Sequence, residues 1–195
     1  MKTAIIAWGS VVWKPGDLPF NDHDNEWHKD GPELPLEFSR ISKDARLTLV
    51  LETSFGTTLP TLHRKSNRCC LMDAAADLRE REGTVFKHIG YVTTDGKTSS
   101  ATKYPDQPDV FDAVKGWLSK VKNYDAAVWT ALPQNFADQL GKSFNNELAS
   151  EYLCKLPKAV STHAFDYIKK SPEQIKTAFR LFMLEKHPDK FKAKK

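Results

Sequence analysis

Residues 4–10 read Ala4-Ile5-Ile6-Ala7-Trp8-Gly9-Ser10, an apolar run that ends on a glycine and a serine. Four apolar residues in a row bounded by a turn signal predict a buried strand. Gly9 and Ser10 then let the backbone turn with amides exposed, an arrangement that suits a small carboxylate or a polarised carbonyl. Outward from this strand, residues 34–42 and 46–52 read as a strand pair turned at Lys43-Asp44, and residues 61–64 as a further short strand. Between the first strand and that pair lies a polar, proline-containing stretch, 14–35, too long for a mere connection and therefore a candidate lid or rim.

Residues 71–83 carry helical periodicity, with Leu71, Ala74, Ala75 and Leu78 on one face. Residues 85–94 and 98–102 read as a hairpin turned by Asp95-Gly96. Val110, Phe111, Val114, Trp117, Leu118 and Val121 mark a second helix, and 126–132 a buried strand. The remainder reads as helical. Leu148, Tyr152, Leu153 and Leu156 mark one helix, and Val160, His163, Ala164 and Tyr167 another. Ser171-Pro172-Glu173-Gln174 has the form of a capping box opening the last helix, with Ile175, Phe179, Phe182 and Met183 inward. Strands early and helices late predict one mixed α/β domain over residues 1–195, with a helical C-terminal extension from about residue 106.

At 195 residues and 40% apolar content the chain can bury one good core. No apolar run approaches a membrane span, and the stretch after Met1-Lys2-Thr3 is broken too early for a secretory signal. The net charge is +4, and much of it lies in residues 186–195, which read as a solvated end. The tryptophans sit beside apolar residues rather than among basic ones, so neither nucleic acid nor membrane is an expected partner. Three cysteines, two of them adjacent at Cys69 and Cys70, fit no common disulfide framework or zinc spacing. A reduced, cytoplasmic setting is the expectation, and oligomeric state is left open.

Continuing the apolar face of 71–83 by one turn lands on Glu82, while Arg79, Glu80 and Arg81 point mostly elsewhere. Gly83 is a natural stop after the helix. A core-facing carboxylate in a last helical turn would have its pKa raised by desolvation and by the helix dipole. That suits a general base or acid near neutral pH. The alternative is a frayed end in which Glu82 turns to solvent or pairs with an arginine.

Three short motifs in order carry a resemblance. Ala7-Trp8-Gly9-Ser10-Val11-Val12-Trp13-Lys14 is similar to a Gly-Tyr-Gly-Ser-Leu-Ile-Trp-Lys opening; Phe38-Ser39-Arg40 and Arg46-Leu47-Thr48-Leu49-Val50 are similar to an arginine-bearing strand and its neighbour. Leu78-Arg79-Glu80-Arg81-Glu82 is similar to a Leu-x-x-Arg-Glu helix end. On these the chain resembles the gamma-glutamylcyclotransferase-like superfamily, most closely its ChaC-type branch, over roughly its first half. Trp8 stands where that branch usually has tyrosine, and residues 21–33 do not match it.

The resemblance implies a small β-barrel with flanking helices. It also implies an enzyme that cyclises a gamma-glutamyl amide or peptide, glutathione-like substrates included, to 5-oxoproline with release of an amine. It assigns Glu82 as the proton shuttle, Trp8, Gly9, Ser10, Val11 and Arg40 as substrate-binding residues, and neither metal nor organic cofactor. Arg40 equally suits a structural ion pair. A second expectation is a non-catalytic binding or regulatory module of the same fold that holds an amino-acid-like ligand.

Other motifs carry less. His187-Pro188-Asp189-Lys190 looks like the chaperone-contacting loop of J-domains, but the second supporting helix that loop needs is missing from the sequence. Asp22, His23, Asp24, Glu26 and His28 share one loop at irregular spacing and read as a solvated polar segment rather than a metal site. Ser10 is not in a nucleophile elbow, because Val12 stands where the second glycine is needed. His63 and His88 are near Cys69-Cys70 only in sequence.

Overall fold

A computed structural model describes residues 1–20, 26–97 and 108–192. The chain is mixed α/β and divides into two compact units, each discontinuous in sequence: Met1–Leu34 with Pro60–Leu132, and Pro35–Leu59 with Pro133–Lys195. No helix among the described residues is long and apolar enough to cross a membrane.

In the first unit β1 (Thr3–Ala7) is buried at every position. It lies inside a four-stranded sheet between β5 (Leu62–Lys65) and β7 (Ala126–Thr130), with β6 (Ile89–Thr93) outside β7. β1 runs antiparallel to β5 and parallel to β7. Ile5 and Val128, paired in register, join one apolar cluster with Ala75 and Leu78 of α1 (Leu71–Glu82). Trp129, the next residue on β7, instead meets Phe111 of α2 (Pro108–Val121) at 5.1 Å. Successive strand residues face opposite ways, so α1 and α2 cover opposite faces of this sheet.

Gly90 is opposite Trp129, and a Cβ there would sit 2.3 Å from the indole ring. Trp129 is fully buried and is packed edge-on against Phe111. Gly90→Ala is therefore expected to destabilise the protein by about 1–3 kcal/mol through overpacking, read as a lower urea midpoint at unchanged slope.

The second unit holds a three-stranded sheet ordered β3 (Leu47–Leu51), β2 (Glu33–Ile41), β4 (Thr57–Pro60). The β2–β3 hairpin closes through Ser42 and Arg46, with Ala45 left-handed at φ 62. The expected turn at Lys43-Asp44 lies within it. Helices α3 (Phe136–Leu140), α4 (Asn146–Lys155), α5 (Lys158–Lys170), α6 (Ala178–Lys186) and α7 (Pro188–Phe191) complete the unit. Its core includes Phe38, Phe136 and Phe179, all fully buried. Asn135 trades hydrogen bonds with both backbone groups of Ile41 (2.7 and 3.0 Å), satisfying the end of β2 as a strand would.

Several expectations change. The described residues form two open sheets and no closed barrel: β1 is paired on both sides within its own sheet, while β2 and β3 pair in the other. The region after residue 106 is not one extension, since α2 and β7 belong to the first unit and the later helices to the second. The last long helix starts at the Thr177 cap, whose hydroxyl accepts from Arg180 N–H, not at Ser171. Ser171 closes α5 instead, and the Arg180 guanidinium gathers the Ser171, Pro172 and Ile175 carbonyls into a turn. The tail is exposed at Lys186, at 188–190 and at Lys192, as a solvated end would be, but it is docked at Phe191, which packs on Phe165 at 5.8 Å, and Lys169 donates to the Lys192 carbonyl. The second half of the hairpin expected at 98–102 lies outside the described residues.

Candidate functional site

Ala74, Ala75 and Leu78 are fully buried on the inner face of α1, and one further turn brings Glu82 to the same side. Gly83 stops the helix there. Its φ is 58°, and the Gly83 and Thr84 amides fold back onto the Glu80 and Arg79 carbonyls in a Schellman arrangement. The Glu82 side chain is 16% exposed and pairs with the guanidinium of Arg81.

Arg81 turns in rather than out, contrary to the expectation that it points elsewhere. Its Nη2 also donates to Ser10 Oγ (3.2 Å) and to the Lys14 carbonyl (2.6 Å). The reason is the neighbouring loop, which sets acceptors within reach of a long, forked cation. Arg79 lies over the Phe86 ring and Glu80 is exposed. Arg81 is thus the residue that ties the end of α1 to the loop after β1.

That loop is a tight turn. Val12 N–H donates to the Gly9 carbonyl and Lys14 N–H to the Ser10 carbonyl, at 2.9 and 2.8 Å. The amides of Gly9, Ser10 and Val11 have no acceptor among the described residues. Trp8 and Gly9 are buried, Ser10 is half-buried, and the Val11 side chain joins the apolar cluster beneath α1. Trp27 and Tyr91 pack against the same cluster. Glu82, the unpaired amides and these aromatics therefore belong to one neighbourhood of the first unit.

Arg40 belongs to the second unit. Its guanidinium donates to the Pro133 carbonyl at 2.6 Å, and its own carbonyl accepts from the Thr48 hydroxyl. The strand position expected of it is correct.

A second polar constellation in the first unit went unread in the sequence. Buried His63 on β5 is 3.1 Å from Tyr124 Oη through Nδ1 and 3.0 Å from Asp30 Oδ1 through Nε2. His28 stacks on its ring, and Trp117 meets it edge-on while donating to the Asp30 carbonyl. The hydrogen bond from His63 holds the Asp30 carboxyl below the usual carboxylate value. His63 pairs with Ile6, whereas Ile5 faces α1, so this cluster lies on the opposite sheet face from Glu82. With the His28–His63 bridge and the Gly31–Thr61 hydrogen bond it pins residues 26–31 along the outer edge of β5. No periodicity could have signalled it, because its members lie far apart in sequence.

Among the described residues no three His, Cys, Asp or Glu side chains are grouped to hold a metal. Asp22, His23 and Asp24 lie outside those residues. Cys69 and Cys70 precede α1 on the surface, and no imidazole partner for either occurs among the described residues. Comparison of the chain with protein-family models, with curated proteins and with solved structures finds no match.

Proposed function

We propose that the protein is a gamma-glutamylcyclotransferase-like enzyme that converts a gamma-glutamyl amide or peptide to 5-oxoproline and a free amine. The observation that carries this reading is the Glu82–Arg81–Ser10 linkage, which puts a half-buried carboxylate beside a loop with unpaired amides. In the reaction the substrate's own α-nitrogen attacks its γ-carbonyl carbon, so no protein nucleophile is required. The new C–N bond closes the five-membered ring, and the old amide C–N bond breaks. Glu82 takes the proton from the α-ammonium and returns it to the departing nitrogen. The Gly9, Ser10 and Val11 amides hold the α-carboxylate or polarise the γ-carbonyl. Arg81 is a positioning residue that sets the Glu82 carboxylate against the loop, and Trp8, buried at the start of the turn, lines the substrate side of it in this proposal. Neither a metal nor an organic cofactor is part of the proposal, and the setting is cytoplasmic.

The second reading, a binding module for an amino-acid-like ligand, is favoured by one observation. The Glu82 carboxylate is already engaged by Arg81, as a carboxylate held for structure is. Incubating the protein with glutathione and a panel of gamma-glutamyl amines separates the two: turnover with 5-oxoproline appearing supports the enzyme, and saturable binding without turnover supports the module.

Close approach of the loop to substrate has its own consequence. Gly9→Val is expected to raise KM, or the ligand dissociation constant, on the order of tenfold to a hundredfold. The melting temperature without ligand should fall too, because Gly9 is buried, but by less in free energy than the loss of affinity. Unchanged affinity with a lowered melting temperature would reduce Gly9 to a structural turn.

A further inference from the structure

The end of α1 and the loop after β1 share a hydrogen-bonding network that is held in place but not completed. A guanidinium carries five N–H donors. Arg81 uses one, through Nη1, on the Glu82 carboxylate, and two, through Nη2, on Ser10 Oγ at 3.2 Å and the Lys14 carbonyl at 2.6 Å. Its stem lies against Gly16, where a Cβ would meet Arg81 Cγ at 3.6 Å, so residues 10–16 fix the direction of the fork. The second Nη1 hydrogen and the Nε hydrogen meet no acceptor among the described residues, and Glu82 Oε2 meets no donor. The Arg81 and Glu82 side chains are only 12% and 16% exposed. An ion pair this far from water ordinarily has its remaining donors and acceptors satisfied, because desolvation is otherwise uncompensated. Here they stand beside the Gly9, Ser10 and Val11 amides, which also lack an acceptor among the described residues. Donors and an acceptor of opposite charge, adjacent and incompletely paired, point to a ligand that carries both charges.

We propose that the Arg81–Glu82 pair is the receptor for an α-amino-acid head group, with the ligand's α-carboxylate on Arg81 and its α-ammonium on Glu82. The two ligand groups share one carbon, and the two protein groups are in contact on consecutive residues. Together they close a ring of alternating charge in which each group has two opposite neighbours, and the Arg81–Glu82 contact stays intact. Charge-assisted hydrogen bonds from the open Arg81 donors and to Glu82 Oε2 then complete the network. Glu82 meets the very nitrogen whose proton the proposed reaction removes, and the Gly9, Ser10 and Val11 amides are left for the γ-carbonyl. The substrate class narrows to glutamyl compounds whose α-nitrogen and α-carboxylate are both free. An N-acylated or α-esterified glutamyl group lacks one of the two charges and leaves one protein group unpaired. The inference rests on the reading of this site as one for a gamma-glutamyl compound, and it gives Arg81 a binding task besides positioning Glu82.

The test compares three probes on the full chain: gamma-glutamyl ethylamide, glutaric acid monoethylamide, which lacks the α-nitrogen, and gamma-aminobutyric ethylamide, which lacks the α-carboxylate. Affinity is read by calorimetry as Kd, or as KM where turnover occurs. In the unaltered protein each analogue is expected to be about tenfold to a hundredfold weaker than the complete head group. Arg81→Gln should weaken the two carboxylate-bearing probes by a similar factor and leave gamma-aminobutyric ethylamide no weaker, with Arg81→Lys restoring part of the loss. A loop that merely lost its tie would weaken all three probes alike, and that result would overturn the receptor. Equal affinity for the three probes in the unaltered protein, or no binding of any at millimolar concentration, would overturn it too. The expected pattern without 5-oxoproline formation would uphold the receptor and reject the cyclotransferase. Turnover with an unchanged ranking in Arg81→Gln would do the reverse.

Discussion

Glu82→Gln is expected to lower 5-oxoproline formation by roughly 10²–10⁴-fold while leaving substrate affinity and melting temperature close to those of the unaltered protein. The amide has nearly the shape of the carboxylate and can keep a contact with Arg81, but it cannot accept and return a proton. The loss should therefore fall on kcat rather than KM. Glu80→Gln is the matched control. Glu80 is two residues away on the same helix and exposed, so its neutralisation should change neither parameter by more than about twofold. A Glu82→Gln protein that retains most of its rate would remove Glu82 from the chemistry and leave it as the structural partner of Arg81.

The largest stability effect is expected at Glu37, which is 1% exposed on β2. The β2–β3 register shifts between Glu37 and Arg40, and the Glu37 carboxylate itself accepts from Phe38 N–H at 2.8 Å. It also accepts from Phe179 N–H at 3.2 Å and from the Thr177 hydroxyl, and so caps the start of α6 from the neighbouring strand. Glu37→Ala would leave these donors without a partner in a dry site. The expected cost is about 2–4 kcal/mol, measured by urea unfolding.

Protonation gives the same residue a second signature. Burial pushes the Glu37 carboxyl above its usual 4.5, with nearby Glu52 adding to the rise and the hydrogen bonds opposing it. The folded state then binds this proton more tightly than the unfolded chain. Its contribution to stability is therefore fully present below 4.5 and is lost as pH rises through the elevated value. Glu37→Gln should flatten that part of the stability–pH curve. A slope that persists in the variant would assign it to another carboxyl.

The parts of this architecture that follow a local rule were legible in the sequence. The 4–7 strand, the α1 stripe ending at Gly83 and the β2–β3 pair each repeat an apolar period over enough residues to outweigh propensity noise. The parts that were not legible depend on contacts between distant residues. Ser171-Pro172-Glu173-Gln174 satisfies the capping-box pattern, yet the Arg180 guanidinium captures the carbonyls of that stretch and the helix starts later. Phe191 offered a single apolar residue in a basic tail, too little to outweigh composition, although one aromatic contact with Phe165 is enough to dock it. The barrel came from the resemblance alone, and strand pairing in two sheets is a tertiary choice that no short motif encodes.

The candidate site divides the same way. Glu82 and the 8–11 loop were readable because helix phase and a glycine-containing turn each place them. Arg81 was not, because helical phase puts it off the inner face and only the Ser10 and Lys14 oxygens draw it back. The unfamiliar stretch around residue 28 also gains a physical role. His28 and Asp30 clamp it to the β5 edge through His63, while Trp27 reaches the apolar cluster under α1.

The most direct measurement is the identity of the products from a single gamma-glutamyl amine incubated with the purified protein. Intramolecular attack by the substrate's own nitrogen must yield 5-oxoproline and free amine in equal amounts, with no free glutamate. That outcome is expected, together with its loss in Glu82→Gln. Glutamate in place of 5-oxoproline would mean that water is the nucleophile, and that result would contradict it.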